Sequence, residues 1–370
     1  MAKERILSAD SHVRIADPAV LSHLPQKYHD DYKQARLEYM GRIAKKAKRK
    51  PAAQPKSAET AQDNTEMWKK QPWEAAGRPG EHDPGERIKD MDIDGVEAEV
   101  LYTDVEVGVG YYSMGDGGRL AAFRAFNDAA LDFASHDSKR LLTVYIIPIA
   151  DIQEAVSEVQ RLAKSGARAF MLPLYPTDLD LPPYFDRAYD PLWGAIQETR
   201  IPISQHVGAN AALWRIFQYD TTPARGVFQS LPPIFMSEVI SNWIIGGIFE
   251  RFPELRVVLV ESGLGWIPYF LERLDTMKRS HGWDQYDGMP KEQPSYYWHR
   301  NMMATFEEDT FGVAQRHKLG IDNMMWATDY PHPDSTWPNS QKVLETHFND
   351  VPVEEARQMI GGNCGRIYRL

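Results

Sequence analysis

Short apolar runs alternate with amphipathic stretches along nearly the whole chain. Ile6 to His12 reads as a buried strand ending in polar residues, and a long insertion follows from about Ala19 to Arg87. Seven more runs read as strands: Val96–Thr103, Leu141–Pro148, Arg168–Leu174, Ile201–Val207, Arg256–Ser262, Asn301–Phe306 and Asn323–Asp329. Between them lie stretches with helical spacing. Leu120–His136 carries Leu120, Phe123, Phe126, Asn127, Ala130 and Phe133 on that spacing, and Ile152–Ser165 closes at Gly166. Pro191–Thr199, Ile234–Arg251, Trp266–Ser280 and Asp309–His317 complete the helical set. Strands separated by helices imply a parallel sheet, and eight of them fit a closed barrel better than an open, doubly wound sheet. No GxGxxG follows a strand. The expected architecture is α/β, a distorted (β/α)8 TIM barrel with a long insertion after the first strand. Residues 1–370 are expected to form one domain with a flexible insertion over about 40–80.

Active sites of such barrels sit at the C-terminal ends of the strands, and polar residues gather there. The first strand ends in Asp10-Ser11-His12, the fifth in Gln205-His206, the sixth in Glu261-Ser262-Gly263 and the eighth in Asp329, followed by Tyr330-Pro331-His332. Residues two apart on a strand share a face, so Asp10 and His12 can serve one ion. Mixed imidazole and carboxylate donors suit Zn, Mn or Fe, and an incompletely filled ion activates water or grips a substrate oxygen. Asp10, His12, His206 and Asp329 are therefore the expected ligands of a divalent metal. A carboxylate such as Glu261 at a barrel-strand end is costly to bury without a partner. His332 and Asp334, His281, Glu81-His82-Asp83 and Glu307-Glu308 also lie near predicted strand ends or loops.

Composition narrows the partners. The chain of 370 residues has 42 Lys and Arg against 52 Asp and Glu, a formal charge of −10, which argues against a nucleic-acid binder. The basic run KKAKRK at 45–50 leads into a polar, Pro-containing segment and reads as a surface loop. Cys364 is the only cysteine, which excludes an internal disulfide and a multi-cysteine metal site. No apolar stretch approaches the ~20 residues of a membrane span, and no signal-peptide core follows the charged start, so a cytoplasmic location is expected. Tyr102, Trp214 and Tyr330 lie in or near predicted loops at the barrel mouth and are expected to contact a small organic substrate. Arg215 or Arg225 is positioned to grip a substrate carboxylate. The apolar helical stretch Ser230–Ile248 fits either barrel packing or a homo- or hetero-oligomer interface.

The order D-x-H, then H, then A-T-D-Y-P-H resembles the amidohydrolase-related group of the amidohydrolase superfamily. So do DPGERIKDMDIDG (83–95), VESGLGWIPYFLERLD (260–275) and DYPHPDSTWP (329–338). The group includes aminocarboxymuconate-semialdehyde decarboxylase, resorcylate-type decarboxylases and many hydrolases. The resemblance implies a barrel whose ligands are Asp10, His12, His206 and Asp329, with Asp329 also a general acid or base. Two departures stand out. The group often has H-x-H or E-x-H on the first strand, where this chain has Asp10-Ser11-His12. Its decarboxylases carry a histidine at the end of the sixth strand, where this chain has Glu261. No lysine ends the fourth strand to form a bridging carbamate.

The leading expectation is a metal-dependent hydrolase acting through metal-activated water, with Asp329 or Glu261 moving the proton and zinc as the metal. An alternative is a dinuclear iron or manganese–iron oxygenase. In that reading Glu261, His281 or His332 holds a second ion, and the chain is similar to oxygenases of the 2-aminoisobutyric acid hydroxylase and platensimycin-pathway type. A further alternative is a non-oxidative decarboxylase of an aromatic or unsaturated acid, against which the missing sixth-strand histidine counts. The last is a metal-stabilised barrel without catalysis.

Overall fold

The computed structural model describes residues 5–37, 77–103, 110–208, 213 and 222–370. Eight strands run in parallel: β1 (Leu7–Val13), β2 (Ala98–Thr103), β3 (Leu141–Thr143 and Tyr145–Ile146, interrupted at Val144), β4 (Phe170–Met171), β5 (Ile203–His206), β6 (Val257–Val260), β7 (Met302–Phe306) and β8 (Met324–Trp326). Every residue in them is buried, as expected of strands covered on both faces. Alternate residues fall into two apolar clusters. Val100, Tyr102, Val258, Val260, Met303 and Met325 belong to one, Leu101, Val257, Leu259, Met302 and Met324 to the other. That period of two divides the barrel interior from the layer beneath the helices.

The ladders form two sheets, one of β1, β2 and the first part of β3, the other running from the second part of β3 to β8. No ladder joins β1 to β8. The ring is completed there by backbone bonds, from Asp329 N–H to the Asp10 carbonyl (3.0 Å) and from His12 N–H to the Tyr330 carbonyl (2.6 Å). β1 also carries a bulge. Leu7 pairs with Ala98 but His12 pairs with Tyr102, so one extra residue lies between Ser8 and Ser11. The bulge reverses the alternation, so Leu7 and Ala9 pack in the interior cluster while Asp10 and His12 beyond them face the same space.

The helices follow the sequence pattern with small differences. The single helix expected over Ile234–Arg251 is two, Pro232–Ile244 and Ile248–Arg251, separated at Gly247 in the left-handed region (φ 66°). Asp309–His317 is likewise divided, into Thr310–Ala314 and Arg316–Leu319. The apolar character of Pro232–Ile244 is matched by packing, because Met236, Val239, Ile240, Trp243 and Ile244 are buried in the core. The insertion contains the helices Asp17–His23 and, at its end, Pro84–Asp94. Its central part and the basic run lie outside the described residues. Among the described residues no helix is long and apolar enough to cross a membrane.

Candidate metal centre

Four strand ends converge. His12 Nε2 lies 3.2 Å from His206 Nε2, 3.1 Å from Asp329 Oδ1 and 3.7 Å from Asp10 Oδ1. His206 Nε2 lies 3.6 Å from both Asp10 Oδ1 and Glu261 Oε2. Two donors ~2.1 Å from one tetrahedral or octahedral ion stand about 3.0–3.4 Å apart, close to the spacings seen. Both oxygens of the wholly buried Asp10 lack a hydrogen-bond partner. A buried carboxylate without donors facing two imidazole nitrogens suits a divalent cation. A second group, His12, Glu261, Asp329 and His332, brings its donor atoms within 4.8 Å of one another.

Local structure holds these groups in place. His206 Nδ1 is 2.9 Å from the Val207 carbonyl, and donation there leaves the Nε2 lone pair facing the centre. Glu261 and Asp329 both adopt a left-handed backbone (φ 55° each), which non-glycine residues rarely do and which concentrates at functional sites. Each is pinned. Glu261 N–H donates to Thr305 Oγ1 (2.7 Å), and Asp309 Oδ2 accepts the N–H groups of Leu264 and Gly265 (2.6 and 2.8 Å), fixing the turn after Glu261. Beneath the centre, Ser8, Ser11 and Thr328 exchange buried hydroxyl bonds of 2.7–3.1 Å between β1 and the end of β8.

The charges are unbalanced. Burial raises the Asp10 pKa to about 6 against the pull of His206. Burial, then the His332 charge, pushes His12 down to about 3. Burial, then the negative charges of Asp329, Asp10, Glu307 and Asp334, holds Glu261 well above the usual carboxylate range. Glu307 is raised in the same way by burial, Asp329 and Asp10. Burial opposes ionisation of Asp329, but hydrogen bonds from His12 and His332 outweigh it and keep its pKa low. His332 Nδ1 stands 3.0 and 3.2 Å from the two Asp329 oxygens, and this pairing overcomes burial to raise His332 to about 9.

The structure thus brings together Asp10, His12, His206, Glu261, Asp329 and His332. It places His281 elsewhere, a correction to the expected second-ion set. His281 is the exposed last residue of helix Ile267–His281, bonded to the Met277 carbonyl. The helix leaves the barrel mouth, and 15 residues carry its end about 22 Å away. Tyr102 and Tyr330, expected to meet substrate, are buried at 0% and 1% exposure. The Tyr102 hydroxyl bonds Ser204 (2.9 Å) and Tyr368 (3.3 Å) inside the barrel, and the Tyr330 hydroxyl donates to Asp90. Trp214 and Arg215 lie outside the described residues. Asp83 caps helix Pro84–Asp94 and Glu81 pairs with Arg14, both structural roles. Sequence reading left Glu307 and Asp334 as loop charges; their charges act on Glu261. A carboxylate directly after the largely apolar strand MMATF is the signal that marks Glu307.

A sequence model of the amidohydrolase family matches residues 9–370. The chain belongs to this family. It is 25% identical over 252 residues to the decarboxylase orsB of Emericella nidulans, covering 65% of this chain and 73% of that protein. It is 24% identical over 295 residues to 2-amino-3-carboxymuconate-6-semialdehyde decarboxylase of Dictyostelium discoideum, covering 76% and 75%. The fold matches that of 5-carboxyvanillate decarboxylase from Novosphingobium aromaticivorans, solved with manganese and 4-hydroxy-3-methoxy-5-nitrobenzoic acid. The TM-score is 0.72 at 17% identity, over 100% of this chain and 97% of that one. These comparisons overturn the expected hydrolase, since both sequence relatives are decarboxylases.

Proposed function

We propose that this protein is a divalent-metal-dependent decarboxylase that removes carbon dioxide, without oxidation, from a small aromatic or unsaturated carboxylic acid. The observation that carries this is the gathering of Asp10, His12, His206 and Glu261 donor atoms within 4.8 Å of one another, with Asp329 Oδ1 3.1 Å from His12 Nε2, in a chain whose curated relatives are decarboxylases. Asp10, His12, His206 and Asp329 would hold the ion in this reading. Manganese is preferred to the zinc suggested by sequence, because the donor set is rich in carboxylates. The ion, when bound, supplies positive charge that orients the substrate and stabilises charge developing as the carboxylate departs.

The remaining roles fall to the chain. Replacing CO2 by hydrogen requires one proton at the carbon that loses the carboxylate. Glu261 supplies it in this reading, because burial and its acidic neighbours raise its pKa well above the usual carboxylate range, and its side chain is 25% exposed. Asp329, held ionised by His12 and His332, orients rather than donates. The test incubates the manganese-loaded protein, without oxygen, with a panel of hydroxylated benzoates and unsaturated acids in deuterated water. Carbon dioxide release with one deuterium in the product, suppressed in Glu261→Gln, supports the assignment. No release from any panel acid by fully loaded protein counts against it.

A second reading has an observation of its own. Five carboxylates, those of Asp10, Glu261, Glu307, Asp329 and Asp334, influence one another here. A second ion in the His12, Glu261, Asp329, His332 group would offset the mutual repulsion that opposes their ionisation. That is the dinuclear oxygenase reading. Two ions per chain by elemental analysis, with substrate-dependent oxygen consumption, would favour it.

A further inference from the structure

The structure assigns Arg87 as a positioning residue that sets the spacing between the two halves of the metal centre; the inference rests on the ligand assignment proposed above. Asp10 and His12 belong to the sheet of β1, whereas His206, Glu261 and Asp329 end or follow strands of the other sheet. The seam between those sheets, β1 against β8, passes through the centre and is joined by two backbone bonds in place of a ladder.

Arg87 lies across that seam. It is completely buried. Its Nε donates to Glu99 Oε2 on β2 (2.6 Å), and its Nη1 donates to the carbonyl of His12 (2.7 Å). Its guanidinium sits 4.3 Å over the ring of Tyr330, the residue after Asp329. One planar group thus touches the backbone of a β1 ligand and the neighbour of the β8 ligand. Asp90, one turn along the same helix face, takes the Tyr330 hydroxyl and the Arg78 Nε–H (2.8 Å), and its carbonyl accepts Trp337 Nε1–H (2.9 Å). The fit is tight from the far side too, because a Cβ on Gly80 would stand 2.4 Å from Asp90 Oδ2 and 3.2 Å from Arg87 Cα. A rigid fork of donors stacked on an aromatic face is a role that lysine cannot fill.

The test uses the full chain and Mn²⁺ alone as the probe. Metal affinity and the Mn²⁺ electron paramagnetic resonance spectrum are measured for wild type, Arg87→Lys, Arg87→Met and Tyr330→Leu, with thermal melts in EDTA. The expected result is binding weakened about 10–100-fold in all three variants, the range for groups that orient metal ligands. An altered spectrum at saturation should accompany it, as should an EDTA melt for Arg87→Lys close to wild type. Wild-type affinity and spectrum in folded Arg87→Lys and Tyr330→Leu would overturn the assignment. His206→Ala, which touches no part of the clamp, checks the centre separately. If wild type binds no Mn²⁺, or His206→Ala binds it unchanged, the ligand reading fails and the role of Arg87 falls with it.

Discussion

Asp10→Asn should stabilise the metal-free protein and weaken the metal-loaded one. The buried Asp10 carboxylate has no donor to either oxygen. Its pKa, raised by burial from 3.8 to about 6, sets the size of the effect. The sign follows from linkage: a carboxyl raised on folding favours the folded state only while protonated, so above about pH 6 the metal-free fold carries a penalty. The difference corresponds to about 3 kcal/mol at neutral pH. The amide of asparagine is itself buried without partners, which takes back about 1–2 kcal/mol. The net gain is about 1–2 kcal/mol, or about 1–3 °C in Tm for a chain of 370 residues. With Mn²⁺ at a thousand times the wild-type Kd, wild type gains about 4 kcal/mol. A variant binding about a hundredfold more weakly gains only about 1.4 kcal/mol. The order of the two melts therefore crosses between EDTA and saturating Mn²⁺, which differential scanning calorimetry reads directly. A variant less stable than wild type by the same margin in both conditions would refute the reasoning, because Asp10 would then be an ordinary packed residue.

Glu261→Gly should keep or raise the metal-free Tm, since glycine accepts the left-handed backbone and no carboxylate is buried, a gain of about 1 kcal/mol; carbon dioxide release should vanish. His281→Gln should leave metal content and turnover unchanged, and loss of either, measured by elemental analysis and product formation, would mean that the helix end reaches the centre. Asp94 is raised by burial to about 6 away from the metal centre and accepts from Ser340 N–H and Oγ–H. Because a raised carboxyl stabilises the fold only below its unfolded pKa, Asp94→Asn should out-melt wild type near pH 8. The gap should close as pH falls from about 7 toward 4, and a gap constant with pH would count against it.

The convergence of the residues at the ends of β1, β5 and β8 was legible because a strand end fixes both the face and the height of a side chain. Tyr102 was misplaced for a related reason. Its face is inward, but its hydroxyl runs down to Ser204 rather than up to the mouth, and sequence gives face, not tilt. His281 was misplaced because distance along a helix was not converted into distance from the mouth. The bulge in β1, the left-handed Glu261 and the anchor at Asp309 depend on contacts across the fold that no local spacing encodes. Reaction class was the least legible, since one donor set serves hydrolysis, decarboxylation and oxygenation alike.

The seam between β1 and β8 also sets an order of events. Asp10 and His12 are made some 320 positions before Asp329 and His332. During synthesis the early pair waits beside no partner, and Asp10 stays hydrated and ionised. A chain lacking the last strand keeps Asp10, His12 and His206 but lacks Asp329, and β1 has no neighbour on that side to hold its two ligands in place. Metal acquisition is in this way tied to completion of the barrel, and a loaded centre marks a chain that has closed.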